Sequence, residues 1–322
     1  MTFTETIKQY ILGDCGMDAV GIAPAETLED ERICRRPEDV LPGAKSLIVF
    51  LKHVPDGVTQ AAFRRKEDGH RDAYSIYAAF GRELTPNMHL FFMQFNIAQF
   101  IERSFRYAAV PVSSGPMHCV TPVNTELPVF VGAKQNSWII HPGRAAVAAG
   151  LGEIAWNNVF VTAEYGPRVG IGLVVTNMEL EYDEPYGGPK LCEPEKCGIC
   201  VRLCPTHAIP APGSEGAAET YTVAEKEYVT ACVKSNACAV ASMAFRKEFA
   251  GKADVPDQIL NDDPSDEELK KAYAEKPLSS WSLAHFPNYY CDLCRLYCPL
   301  GGWKERFGDT GLSRFREEAS GK

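Results

Sequence analysis

The sequence predicts an α+β chain in two regions: a mixed α/β core over residues 1–186 and a cysteine-punctuated, loop-rich domain over residues 187–322. Three observations lead there. Apolar spacing alternates between helical and strand periods up to the 180s. A turn-rich stretch, 183–190 (DEPYGGPK), then breaks that pattern. Nine of the twelve cysteines fall after residue 190.

In the first region, a helical pattern from Thr4 to Leu12 stops at Gly13, and the apolar run Ala19 to Ala23 suits a first strand. Ser46 to Leu51 (SLIVFL) follows a Pro42-Gly43 turn signal and reads as a buried strand. Thr85-Pro86 supplies an N-cap and a first-turn proline for a helix carrying Leu90, Met93, Ile97, Phe100, Ile101 and Phe105 on one face, a stripe that suits core packing better than a cofactor box. A further helix runs from Arg144 to Ala149 and stops at Gly150, and Val169 to Val175 reads as a buried strand. In the second region, Ser265 with Asp266, Glu267 and Glu268 opens a short solvated helix.

Composition excludes several classes. With 33 Lys and Arg against 42 Asp and Glu, the net charge of −9 leaves no broad basic footprint, so a nucleic-acid partner is not expected and small-molecule chemistry leads. No apolar run reaches the roughly 18 residues of a membrane span, so no membrane partner is expected. The N-terminal residues carry neither a basic-then-apolar leader nor a twin-arginine pair, which points to the cytoplasm, where cysteines serve metals rather than disulfides.

The cysteine spacing carries the chemistry. Cys197, Cys200 and Cys204 with Pro205 form C-x2-C-x3-C-P, and Cys291, Cys294 and Cys298 with Pro299 repeat it 94 residues on. Two-cluster ferredoxins end their motif this way, with the last cysteine crossing to the other cluster, so the duplication calls for two adjacent [4Fe–4S] clusters. Zinc needs only C-x2-C pairs and has no use for the third cysteine and proline. Two clusters need eight thiolates. Cys192 supplies a seventh in a C-x4-C start, with the loop bulging where Pro194 stands in place of a cysteine, and the eighth is Cys232 or Cys238. Crossing assigns Cys192, Cys197, Cys200 and Cys298 to one cluster, and Cys204, Cys291, Cys294 and the eighth ligand to the other. Acidic neighbours Glu193, Glu195 and Asp292 favour low potentials. A radical S-adenosylmethionine enzyme is set aside, because C-x3-C-x2-C does not occur.

The segment from His141 to Pro185, with its A-G-L-G-E turn and T-x-E-Y-G-P-R loop, followed by LCEPEKCGICVRLCPTHAI, resembles the cobalamin-dependent superfamily uniting reductive dehalogenases with epoxyqueuosine reductase. CGMDAVGIAPAE, VLPGAKSLIVF and YYCDLCRLYCP extend the resemblance over most of the chain. It implies a nitroreductase-like core holding cobalamin with its lower base detached, a ferredoxin-like domain feeding electrons to it, and a donor such as ferredoxin or flavodoxin. It also implies Cys232 as the eighth ligand and cobalamin contacts at Gly150, Gly152, Asn158, Thr162, Tyr165 and Gly166. Glycines 150, 152, 166, 170 and 172 agree with main chain approaching a flat cofactor.

Departures bear on the branch. The acidic proton donor of epoxyqueuosine reductases is matched here by Asn136. Their Y-L-T-I-E and C-P-W-N segments are replaced by Cys232-Val-Lys-Ser and Cys298-Pro-Leu-Gly. The arginine that dehalogenases carry after the G-P-R loop is Gly170 here, leaving Arg168 as the nearby guanidinium. Dehalogenase-like sites use a tyrosine as acid, for which Tyr107 stands at the right distance before Asn136; His118 and His141 lie nearby in sequence. The leading expectation is reductive cleavage of a small molecule in the dehalogenase-like manner. A non-catalytic corrinoid-binding or electron-transfer protein, a flavin-holding core, and an epoxyqueuosine reductase-like tRNA-modifying enzyme are the alternatives.

Overall fold

The computed structural model describes residues 1–28, 36–60, 80–81, 89–112, 140–242, 245–246, 260–275 and 291–302. At its centre, β1 (Ala19–Pro24), β2 (Ser46–His53), β6 (Val169–Thr176) and β3 (Ala109–Val112) lie side by side in that order, every pair antiparallel. The architecture is mixed α/β, as the periodicity implies.

Residues 46–51 of β2 are all buried, because both faces of the sheet are covered. On one face, Ile22, Ile48, Phe50 and Val174 pack with Ile7 and Ile11 of the N-terminal helical segment and with Leu90, Ile97 and Ile101 of the Leu90–Phe105 helix. On the other, Leu47, Val49, Leu51, Leu173 and Val175 meet the alanine-rich Pro142–Ala148 helix. Small side chains let that helix lie close to the sheet. The Leu90–Phe105 helix buries the expected stripe, while Phe91, Phe92 and Phe95 stand exposed; Thr85 and Pro86 lie outside the described residues.

A hairpin between the two cysteine motifs, β7 (Ala218–Val223) and β8 (Lys226–Ala231), completes the second face, with Tyr221 and Val223 entering the same apolar cluster as Leu173 and Val175. Its turn, Ala224-Glu225, holds both residues at positive φ (48° and 63°) without the Asn-Gly chemistry that normally marks such a turn. The stretch read as a linker also bonds to the core: the Asp183 carboxylate accepts from Lys8 Nζ at 2.6 and 2.7 Å and from the Ile22 amide at 2.7 Å.

Helix starts follow local chemistry. Thr2 and Glu5 form a capping box, and so do Ser265 and Glu268 at the Asp266–Glu275 helix. His141 caps the Pro142–Ala148 helix by accepting the Arg144 amide on Nδ1 at 3.2 Å. Burial, and then the Arg144 charge, pull its pKa from 6.5 down to about 4. The folded chain therefore holds His141 neutral, so its contribution to stability is complete above pH ~6.5 and is lost as pH falls toward about 4. Denaturant midpoints measured across that window are expected to fall more in the wild type than in His141→Asn, which caps without titrating.

Candidate iron–sulfur and redox site

The two cysteine motifs share a local design. Cys197 ends the Pro194–Cys197 turn, Gly198 turns left-handed at φ 58°, and the Ile199–Leu203 helix then carries Cys200 and delivers Cys204 at its C-cap. In the repeat, Cys294 rides the Leu293–Leu296 helix and Cys298 follows it. The two short helices pack on each other, so the motifs interleave.

Electrostatics sort the thiols into two groups. Burial pushes the Cys200 thiol up to about 11, with Cys192, Cys197 and Cys298 adding to the rise. Cys298 is raised by burial and by Cys192 and Cys197, against the Arg168 charge. Cys291 is pushed up to about 12 by burial, then by Cys238, Asp292 and Cys204. Cys294 is driven well above 9 by burial, Asp292, Cys238 and Cys291. Cys200 and Cys298 thus have Cys192 and Cys197 as their common neighbours, a set called the first quartet below. The second is Cys204, Cys238, Cys291 and Cys294.

Of the two candidates for the eighth ligand, both exposed, Cys238 is the one beside Cys291 and Cys294. Cys232 leaves the end of β8 exposed, its amide bound to the Ala217 carbonyl at 2.8 Å, and the Ser235–Ser242 helix brings Cys238 round to the second quartet.

Cys200, Cys291, Cys294 and Cys298 are raised first by burial and then by neighbouring thiols, so ionising one opposes ionising the next. A bound iron–sulfur core offsets that repulsion and takes thiolates as its ligands, so the donor set fits a cluster.

Hydrogen bonds reach the sulfurs from the Trp156 amide to Cys192 Sγ (3.4 Å) and from the Ala208 amide to Cys204 Sγ (3.1 Å). Glu153 Oε1 accepts the amides of Leu191 (2.9 Å) and Cys192 (2.6 Å). Glu153 belongs to β4 (Glu153–Ile154), which pairs with β5 (Phe160–Val161). Trp156, Ile209, Ala217 and Ala231 form an apolar plug touching Cys192 and Cys200 of one quartet and Cys204 and Cys294 of the other.

Arg168 belongs to this framework. It is 2% exposed and donates from Nη1 to the Cys298 carbonyl at 3.1 Å and from Nη2 to the Leu300 carbonyl. Arg295 reaches the opposite way, to the Pro167 carbonyl (2.8 Å from Nη2) and the Val169 carbonyl (3.3 Å). Between them the backbones at Gly166 and Gly301 touch: a Cβ on Gly166 would strike Leu300 O, and one on Gly301 would strike the Tyr165 and Gly166 backbone. Arg168, read from sequence as a catalytic cation, is in the structure a buried strut.

The expected cobalamin contacts meet protein. Gly150 faces the Glu184 carbonyl and Gly152 the Val161 carbonyl. Asn158 Nδ2 donates to Glu219 Oε1 and to the Ala231 carbonyl, Thr162 Oγ1 accepts the Tyr165 amide, and the Tyr165 ring stacks on His53 at 4.3 Å. Among the described residues, these six build the 150–168 turns.

Of the catalytic residues read from sequence, the described Tyr107 and Arg168 do not meet. Tyr107, 41% exposed, precedes β3, whose Ala109 pairs with Thr176 at the C-terminal end of β6, whereas Arg168 precedes the N-terminal end. The eight residues of β6 separate them by about 25 Å at roughly 3.3 Å per residue. Asn136 and His118 lie outside the described residues, and His141 is a helix cap.

At the end of the sheet facing the first quartet lies a group the sequence reading passed over. His53 Nε2 stands 3.3 Å from the buried Asp56 Oδ1 and stacks on Tyr165. An H-x-x-D spacing at a strand end was its only signal.

The chain was compared with known proteins. No family model matches it. An epoxyqueuosine reductase of Gloeobacter violaceus is 30% identical over 166 residues, 51% of this chain and 36% of that protein. A tetrachloroethene reductive dehalogenase of Sulfurospirillum multivorans is 42% identical over 66 residues, 20% of this chain and 13% of that protein. The chain is thus similar, over part of its length, to both enzymes of the superfamily it resembles in its motifs. A solved structure of an epoxyqueuosine reductase from Bacillus subtilis superposes with a TM-score of 0.51 at 17% identity, covering 92% of this chain and 66% of that one, which shows a common fold. The matched span is about a third or less of the two curated relatives' lengths.

Two outcomes are expected of variants. Cys238→Ala should lower bound iron from about eight to about four per chain, while Cys232→Ala should leave it unchanged, as read by iron and sulfide analysis of anaerobically prepared protein. Arg168→Met should lower the denaturant-unfolding free energy by about 1–3 kcal/mol for each carbonyl it leaves unpaired.

Proposed function

We propose that this chain is an iron–sulfur reductase of the superfamily, in which two [4Fe–4S] clusters relay single electrons from a low-potential donor such as ferredoxin or flavodoxin into the α/β core, for reductive cleavage of a small molecule. The observation that carries the reading is the pair of crossed thiol quartets. We divide the chain into a core over 1–186 and a cluster domain over 187–322.

The order of transfer follows from the ties. The first quartet is bound to the core through Glu153, Trp156 and Arg168, whereas the second lies beyond the apolar plug, so electrons enter at the second and leave from the first. The superfamily implies base-off cobalamin as the acceptor in the core, where it would supply a low-valent metal able to break a carbon–heteroatom bond. For carbon–halogen cleavage, two electrons and one proton replace the halogen by hydrogen and release halide. The proton is assigned to the His53–Asp56 pair, which lies at the cluster end of the sheet and is shielded by Tyr165, rather than to Tyr107 at the far end.

A second reading is favoured by one observation: the similarity to epoxyqueuosine reductases spans 51% of the chain against 20% for the dehalogenase. On that reading the substrate is an epoxide in tRNA, opened and deoxygenated by two electrons and two protons with loss of water.

Anaerobic reconstitution should yield about eight iron and eight sulfide per chain. Added cobalamin should give a cob(II) resonance without nitrogen splitting from an axial base. With a strong reductant, Cys200→Ala should abolish product formation while leaving cobalamin binding intact. His53→Gln should lower the rate by about 10²-fold or more, and Tyr107→Phe should leave it near wild type. Stoichiometric zinc with little iron overturns the reading, and deoxygenation of epoxyqueuosine RNA without dehalogenation selects the second.

A further inference from the structure

The C-x4-C start of the first motif leaves its first cysteine without the short turn that places the others. Pro194 stands where a closely spaced ligand would fall, so Cys192 lies on an extended segment outside any helix or strand. Nothing in the motif itself fixes this ligand. The core does. Glu153, next to Gly152 in the A-G-L-G-E turn, directs one carboxylate oxygen at two successive amides, Leu191 at 2.9 Å and Cys192 at 2.6 Å. Three residues on, the Trp156 amide donates to Cys192 Sγ at 3.4 Å, and its indole Nε1 donates to the Pro210 carbonyl at 2.9 Å. One ligand is thus gripped on its backbone by an acid and on its sulfur by an amide, both from the core, across 36 to 39 positions of sequence.

The two contacts have opposite electrostatic senses. An amide donated to a cluster sulfur favours the more negative, reduced state, whereas a carboxylate beside the ligand disfavours it. Glu153 is partly sheltered, so water screens its charge less than that of the exposed acids Glu193 and Glu195.

We propose that Glu153 is a positioning residue for the first quartet: it seats Cys192 as the outlying cluster ligand, and its charge sets that cluster's reduction potential apart from that of the second. This rests on the two-cluster reading above.

The test uses Glu153→Gln and Glu153→Ala in the full chain, reconstituted anaerobically with iron and sulfide. Gln keeps an acceptor oxygen in nearly the same place and removes the charge. It should bind about eight iron, and in a redox titration followed by electron paramagnetic resonance one of the two cluster midpoints should move upward while the other holds. Ala removes the seat as well, and should release about four of the eight irons to a chelator roughly 10–100-fold faster than wild type. Both midpoints unmoved in Gln, or both moved alike, overturns the proposal, and so does an Ala variant that holds its iron as wild type does. Should Ala fail to fold, the Gln titration decides alone. A wild type that binds no iron sinks the two-cluster reading instead, so the two failures are distinguishable.

Discussion

One contact holds the two halves of this chain in working relation: the main chain at 165–168 laid against the main chain at 298–301. Two backbones approach this closely only if neither carries a Cβ at the crossing, which is why Gly166 and Gly301 face each other. The crossing buries carbonyls that need donors, and two arginines answer from opposite sides, Arg168 to residues 298 and 300 and Arg295 to residues 167 and 169. Guanidinium suits the task because one planar group reaches two carbonyls and stays charged when buried. From this crossing follow the position of Cys298 in the first quartet and the packing of the two short cysteine helices.

Much of this was legible in the sequence, for identifiable reasons. Cluster ligands need fixed spacing, so the duplicated motif singled out six cysteines, and the structure packs the two motif helices together. SLIVFL and the run from Val169 are apolar on both faces because both faces are covered, and they read as buried strands. What failed to show depends on contacts remote in sequence. Cys232 and Cys238 are six residues apart, and only the end of β8 and the start of the following helix decide which lies beside the second motif. The Ala224-Glu225 turn has none of the usual turn residues, so the hairpin that seals the second face of the sheet left no local mark. The glycines of 150–172 were read as making room for a cofactor. A missing side chain reports a close approach without saying by what, and at Gly150, Gly152, Gly166 and Gly172 protein atoms lie where a Cβ would stand. Tyr107 and Arg168 looked like partners until strand register put them at opposite ends of β6.

The same register explains where redox chemistry can sit. β2 and β6 are antiparallel, with His53 opposite Val169, so the end of β2 meets the start of β6 beside the crossing. His53, Asp56, Tyr165 and the first quartet are gathered there by the sheet rather than by any local motif. The opposite end, where Ala109 meets Thr176, is tied by Thr176 Oγ1 donating to the Ala108 carbonyl and Asn177 Oδ1 accepting the Ala108 amide, and serves as scaffold.

The acids near the cysteines do not act equally, and burial decides among them. Glu193 lies on the surface and pairs with Lys196 at 2.7 Å, so water and a neighbouring cation blunt its field. Asp292 is 4% exposed and raises the thiol pKa of both Cys291 and Cys294. Glu153 does the same for Cys192. Each quartet therefore has one sheltered carboxylate, and each has one arginine opposing it, Arg168 at Cys298 and Arg295 at Cys294. The charges match in kind but not in attachment. Asp292 and Arg295 belong to the second motif itself, 3.9 Å apart, and travel with its cysteines. Glu153 and Arg168 belong to the core, so the field at the first quartet exists only when the two regions are docked. On the proposed two-cluster reading, the charges acting on the first cluster depend on the same crossing that fixes the fold.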